Sequence, residues 1–505
     1  MGPHCPDLAG PLYVPPEGEV TPIRPNAMEA KMTQHELQNT HKATLITALF
    51  IAAVTSSASA QIRYVDDDGL DCPHSPLYTT IQAAIDDSSE GDEVHVYPGT
   101  YTGTGNEVVS ITFNDFYLRG VSVQGHRPKI DGENARRCIT ITGPDWLDLT
   151  HPGIRVLGFD LENGQTEDDG GGIYAEGNVM MTNLSIYQCN AEGSGGGLMA
   201  ALPSFTQPFY THVTLAESRV DYCTADLNGG GVSSEDAHLR VFGGEVTRCF
   251  AEKRGGGISF SAPIHAGQLF LYGLTDSEPL ELSMNSANAG GGGLWLNGGG
   301  DHDISGLLFF ENIARGNGGG ALIEDAKVSL GRNNDGLQVT RNVTMERIDL
   351  SGGMGAGLCL FDSELNTIGD SWYLFDSNAS EGDGAAIYMK HSSLELSQAL
   401  FEGNVAVNER GGAITAISCP SLLLDEVYLW ENTGLKGGAL YLMNTFAQLT
   451  SLDVRGNTGT NGGALLVRGA SSDVSVSDSL FMNNSPRHVR VISGSCTNAG
   501  GNSFN

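Results

Sequence analysis

A glycine-led strand, Gly170-Gly171-Gly172-Ile173, returns in recognisable form as far as Gly462-Gly463-Ala464-Leu465, and few folds accommodate such a recurrence. The first apolar residue after each glycine cluster is Ile173, Leu198, Val232, Ile258, Leu294, Leu322, Leu358, Ile387, Ile414, Leu440 and Leu465. Recurrence at roughly 25–36 residues means stacked supersecondary units, none of which can bury its apolar face alone. A second signature precedes most of these strands: a large apolar residue, two spacers, then Asn or Cys. It runs from Ile186/Cys189, Val220/Cys223 and Val246/Cys249 through Phe309/Asn312, Phe375/Asn378 and Phe401/Asn404 to Val454/Asn457 and Phe481/Asn484. Upstream of it apolar residues alternate, as in Leu422, Leu424, Val427 and Leu429 before Asn432. Period-2 runs broken by Gly, Asn and Asp read as short strands joined by tight turns. Each repeat is therefore one coil of a β-solenoid, with glycine where the chain turns a corner and Asn stacked on Asn as a ladder of amides.

The paired motifs Gly411-Gly412-Ala413-Ile414 and Phe401-Glu402-Gly403-Asn404 resemble the GGAI and FxxN repeats of polymorphic outer membrane proteins. The resemblance covers roughly residues 159–484 and implies a right-handed parallel β-helix. A segment from Tyr64-Val65-Asp66 through Thr80-Ile81-Gln82-Ala83-Ala84-Ile85 to Tyr97-Pro98-Gly99-Thr100-Tyr101 resembles the opening of secreted pectin-lyase-like proteins. That superfamily includes polysaccharide lyases, hydrolases and members without known activity, so two resemblances agree on the fold and neither fixes a reaction.

The expected organisation is an all-β chain in four parts. Residues 1–60 form a leader: Lys42, the apolar run 43–54 and a small-residue ending at Ala60 read as a secretory signal peptide within about 32–60, too short for a lasting membrane anchor. Residues 61–105 form an N-terminal cap with a short helix, Thr80 at its N-cap and Ile81, Ala84 and Ile85 on its apolar side. Residues 106–495 carry the coils and 496–505 a tail. About fourteen coils at the parallel-strand spacing would stack to roughly 65 Å. The longest intervals carry extra residues at 203–211, 262–279 and 324–343, expected on one connection of the coil and therefore along one edge.

Charge narrows the partners. With 60 acidic and 27 basic residues the net charge is −33, which repels polyanions and leaves no basic stripe for nucleic acid. Polyuronate would need local bases or bridging Ca²⁺. An extracellular polysaccharide or surface glycan is the partner that fits a secreted or cell-surface solenoid, in adhesion or glycan contact without catalysis. A polysaccharide lyase or glycoside hydrolase is the alternative, and a structural envelope component a third.

Residue by residue, the chemistry is sparse. The residue after the glycine-strand anchor should point outward, and it is aromatic at Tyr174, Trp295, Tyr388 and Tyr441; exposed flat rings there would stack on sugar C–H faces, or simply cover the sheet. Asp66, Asp67, Asp68 and Asp71 resemble part of a calcium loop without its distal bidentate Glu, so Ca²⁺ is the one cofactor suggested. Acid–base candidates are Glu167, Asp168 and Asp169, Asp301 with Asp303, and the basic pair Lys253 and Arg254; acids beside glycines are ordinarily turns. Cys189, Cys223 and Cys249 occupy the Asn-ladder position in successive coils, where one adjacent pair could bond or all could stack as buried thiols. No CxxC, HExxH, Gly-x-Ser-x-Gly or phosphate loop occurs.

Overall fold

In the computed structural model the described residues all belong to one compact unit within Ser57–Asn505. Residues 60–505 are described except 76, 144–152, 203–210, 264–266, 276–277, 332–335 and 346–352. The expected leader and signal segment thus lies outside the described residues, apart from Ala60.

This unit is a parallel β-helix. Its described strands fall into three parallel sheets of 28, 14 and 10 strands, here the large, glycine and short sheets. One coil shows the plan. Ile387–Lys390 lies in the glycine sheet, Ser393–Glu402 in the large sheet and Val405–Arg410 in the short sheet, and Gly411 turns back to the next glycine strand, Ile414–Ile417. Within the large sheet the chain bends at Gln398, which has φ 55°. The anchors stack in register, Ile173 on Leu198, then Val232, Ile258 and Leu294. At the sixth coil Ala321, not Leu322, takes the anchor register between Leu294 and Leu358. The run Gly318-Gly319-Gly320-Ala321 hides this in the sequence, because alanine reads as part of the glycine turn.

Corners explain the glycine. Left-handed backbone recurs at the other bends with many residue types, among them Asn183, Glu217, Gln398 and Glu426 within the large sheet and Asp325, Asp362 and His391 before it. At the turn into the glycine sheet space adds a second demand. A Cβ on Gly412 would sit 2.3 Å from the Gly438 carbonyl oxygen, and one on Gly438 2.2 Å from that of Gly463. Glycine eases that approach where each coil presses its backbone against the next, and Ala356 and Ala385 hold the same position, two residues before the anchors Leu358 and Ile387.

The core is the inside of the coils. Ile387, Met389, Leu394, Leu396, Ala399 and Phe401, all from one coil, are buried; burial of each large apolar side chain contributes about 1.5–3 kcal/mol. The Asn ladder closes the remaining corner. Asn285, Asn312, Asn342, Asn378, Asn404, Asn432 and Asn457 each donate Nδ2–H to the Oδ1 of the next, at 2.8–3.1 Å, ending on Asn484. Ahead of it stands the thiol column: Cys189, Cys223 and Cys249 are free and buried, and Cys249 N–H donates to Asn285 Oδ1 at 2.9 Å where thiols give way to amides.

The ends follow from the same rules. Helix Ile81–Asp86 has Thr80 as N-cap and buries Ile81, Ala84 and Ile85. The expected tail contains strands: Ser495–Gly500 pairs with Asp473–Ser477, and Ser503–Phe504 with Leu480–Met482. Its residues are mostly exposed, so it carries no apolar alternation by which to recognise it. The expected common edge for the long intervals is also corrected. The first interval separates glycine-sheet strand Leu198–Ala201 from large-sheet strand His212–Asp221, whereas the second is divided by strand Leu269–Tyr272 and the third by Lys327–Leu330. Interval length locates an insertion to a coil, not to a corner.

Candidate functional site

The four predicted rings stand on the outer side of the glycine sheet, but their exposure is not as expected. Trp295, Tyr388 and Tyr441 are 9, 4 and 0 % exposed. Trp295, Leu322, Cys359 and Tyr388 form a second apolar cluster outside the main core. Arginines from the preceding coil fold over the rings: Arg254 lies 4.9 Å from the Trp295 centroid, Arg410 5.2 Å from Tyr441, and Arg137 5.3 Å from the half-buried Tyr174. Glu324 accepts from both the Trp295 indole N–H at 2.8 Å and Arg254 at 2.9 Å. Faces expected to meet sugar are thus covered by the protein's own cations and strands.

Asp66, Asp67 and Asp68 do come together, with one ligand atom of each within 4.8 Å of the others, and Asp71 is outside that group. Yet buried Asp66 accepts backbone N–H bonds from Asp68, Gly69, Asp71 and Cys72 at 2.7–3.3 Å. Burial pushes its carboxyl up, but these donors outweigh that and hold it below the usual carboxylate range. Asp67 accepts from Thr100 N–H and Asp68 from Leu70 N–H. The arrangement ties the loop to the first coil, and its Asp66 oxygens are already spoken for.

The other acid–base candidates do not converge. Asp169 Oδ1 accepts from Ser194 N–H, Ser194 Oγ from Asn228 N–H, and Asn228 Oδ1 from Arg254 N–H. Asp169 and Arg254 are therefore three coils apart on the glycine turn, while Asp301 and Asp303 belong to the large sheet. Glu167 and Asp168 are exposed.

A different face carries exposed aromatic surface. On the outside of the large sheet, Trp372 is 41 % exposed and stacks on Tyr428, centroids 5.9 Å apart and planes 26° apart. Tyr428 meets Trp430 edge-on at 5.5 Å, and the buried Trp430 indole N–H has no acceptor among the described residues. Outward Leu374, Leu400 and Tyr428 lie in one register column. Beside this platform Asp376 pairs in register with Glu402. Burial, then the charges of Asp376 and Glu431, raise the Glu402 carboxyl above its ordinary value. The signal for this platform is present in the sequence: since Phe375, Val427 and Leu429 point inward, Leu374, Tyr428 and Trp430 must point outward.

Towards the N-terminus the bend of the large sheet opens into a groove of about 540 Å³, lined by residues including Arg127, Asp160, Arg219, Glu245, Leu274 and Glu281. Arg219 pairs with Glu245 at 3.0 Å and Arg127 with Asp160 at 3.4 Å. At its side Phe242 stacks on Tyr272 with centroids 5.4 Å apart. No helix among the described residues is long and apolar enough to cross a membrane. Comparison with known protein-family models and with curated proteins found no match to this chain.

Proposed function

We propose that this protein is a secreted or cell-surface β-helix that contacts an extracellular glycan through the outer face of its large sheet. The carrying observation is the platform of Trp372, Tyr428 and Trp430, whose ring faces lie partly open to solvent beside the carboxylates of Asp376 and Glu402. Aromatic faces meet the C–H surface of a sugar, and the flanking carboxylates of Asp376 and Glu402 offer acceptors to its hydroxyls. The net charge of −33 favours a neutral glycan over a polyuronate. Kinship with the secreted pectin-lyase-like and polymorphic outer membrane proteins belongs to the same proposal, which the parallel β-helix supports. The test is retention on immobilised neutral and acidic polysaccharides. Binding to a neutral one that Trp430→Ala removes is expected; binding that survives Trp430→Ala would refute the placement.

A hydrolase reading is favoured by one observation. Asp376 and Glu402 are register neighbours on two adjacent strands, and burial followed by the charges of Asp376 and Glu431 raises the Glu402 carboxyl, which suits it to the acid role in the carboxyl pair that glycoside hydrolysis uses. New reducing ends, lost in Glu402→Gln, would establish it; a polymer of unchanged size would exclude it for that substrate.

A further inference from the structure

Resting on the glycan reading, we propose that the ligand is a linear neutral chain lying along the solenoid axis, bound at both the bend groove and the aromatic platform. Parallel register joins the two. The outward column runs Glu245, Glu281, Leu308, Gln338, Leu374, Leu400, Tyr428, each residue beside the next on adjacent strands. Six steps at the parallel-strand spacing make roughly 29 Å from Glu245 to Tyr428, and the three steps from Glu281 to Leu374, beside Trp372, leave roughly 14 Å between the near edges of the two regions. The two regions therefore lie on one straight line at fixed distance, on a scaffold that cannot shorten it.

Their chemistry is complementary. The platform supplies ring faces, with outward Leu374 and Leu400 beside it, and would grip any hexose through its C–H surface. The groove supplies paired charges, Arg219 with Glu245 and Arg127 with Asp160, which can bond to vicinal hydroxyls as both donor and acceptor. Phe242 and Tyr272 add a second stacked pair at its side. Acids outnumber bases in the groove, where Glu217, Glu278 and Glu281 join the two ion pairs, so a polyuronate is disfavoured at both ends. Between the two regions Arg341 lies 5.9 Å over the Phe310 ring, one residue column to the side, and Gln338 is exposed; this floor carries no fixed carboxylate in the column. A chain held at one region presents its continuation to the other at high effective concentration, so occupancy of both multiplies affinity without new contacts.

The prediction is a dependence on chain length. With size-fractionated neutral β-glucan, fragments shorter than roughly 14 Å when extended should bind weakly, and fragments longer than roughly 29 Å at least about tenfold more tightly, the gain expected from bridging. The groove variant Arg219→Ala/Glu245→Gln should abolish the length dependence, so that long and short fragments bind it with the same affinity. Trp430→Ala should weaken both. Equal affinity for all lengths, or a groove variant that binds long fragments like the wild type, would overturn the two-point arrangement while leaving single-site glycan contact standing. Failure of the wild-type protein to bind β-glucan of any length would instead sink the glycan reading beneath it. Circular dichroism of each variant, matched to wild type, separates lost binding from lost fold.

Discussion

Replacing Asn378 by Ala tests the amide ladder where its neighbours are fully resolved. Asn378 Oδ1 accepts from both the backbone N–H and the Nδ2–H of Asn342, at 3.0 Å each. Its own Nδ2 donates to the Val339 carbonyl at 2.8 Å and to Asn404 Oδ1 at 2.9 Å. In the variant the Asn342 N–H and the Val339 carbonyl lose these partners inside the core, and the Asn342 amide loses one acceptor while retaining its bond to the Phe309 carbonyl. A buried polar group left without a partner costs about 1–3 kcal/mol, so with two such groups the local loss should be about 2–6 kcal/mol. Because each coil contacts its neighbours only, the loss should appear as opening of the adjacent coils rather than a uniform shift. Hydrogen exchange of the Asn342 amide reads it directly. At 1.4 kcal/mol per decade, about 2 kcal/mol already accelerates exchange by about twenty-five-fold. Asn378→Asp separates hydrogen bonding from packing: it keeps the shape, loses both donors and should be at least as damaging. Cys223→Ala is the control, since its thiol makes only long bonds of 3.5 and 3.8 Å and should cost no more than about 1.5 kcal/mol. Exchange at Asn342 within about threefold of wild type in Asn378→Ala would refute the ladder as a source of stability, the wild-type barrier being common to both.

Gly412→Ala brings the added carbon to 2.3 Å from the Gly438 carbonyl oxygen and should lower stability by about 1–3 kcal/mol, the range for forced overpacking; Gly105→Ala, whose nearest neighbour would be 3.7 Å away, should be neutral or gain about 0.4–1 kcal/mol, and equal urea midpoints for the two would contradict the turn geometry. His212 and His238 stack at 4.6 Å; burial first, then the charges of His238 and Arg240, brings the His212 pKa down to about 4, and His238 is lowered mainly by burial. The unfolded chain therefore binds protons that the folded one refuses, so this contribution is full above about 6.5 and falls as pH drops towards 4; His212→Phe should flatten the urea midpoint across that window, and parallel curves for wild type and variant would refute it. Thiol titration of residues 60–505 should find at most two accessible thiols, Cys72 and Cys496, and six more after denaturation; fewer than eight in total would reveal a disulfide in the column.

The fold was readable because its constraints repeat. An inward residue at Phe401 or Val454 and the Asn three positions later recur with the same consequence in every coil, so small ambiguities average out. Leu322 shows the failure of that averaging, where an alanine anchor merged with its glycines. The outer faces were harder for a physical reason. Alternation tells which side of a strand Tyr388 or Tyr441 occupies, but not that Arg410, four residues before its own anchor, reaches over the ring of the next coil. Exposure depends on such contacts between coils. Trp372 and Tyr428 were missed likewise: each is visibly outward, but their stacking joins residues 56 positions apart in sequence.

Hydroxyl-radical footprinting of the protein with and without neutral β-glucan polymer would locate the contact itself. The account predicts that oxidation of Trp372, Tyr428 and Trp430 falls in the presence of polymer while Tyr174 on the glycine sheet is unaffected. Protection of Tyr174 with the Trp372 platform still oxidised, or no protection at either face, would contradict glycan contact through the large sheet.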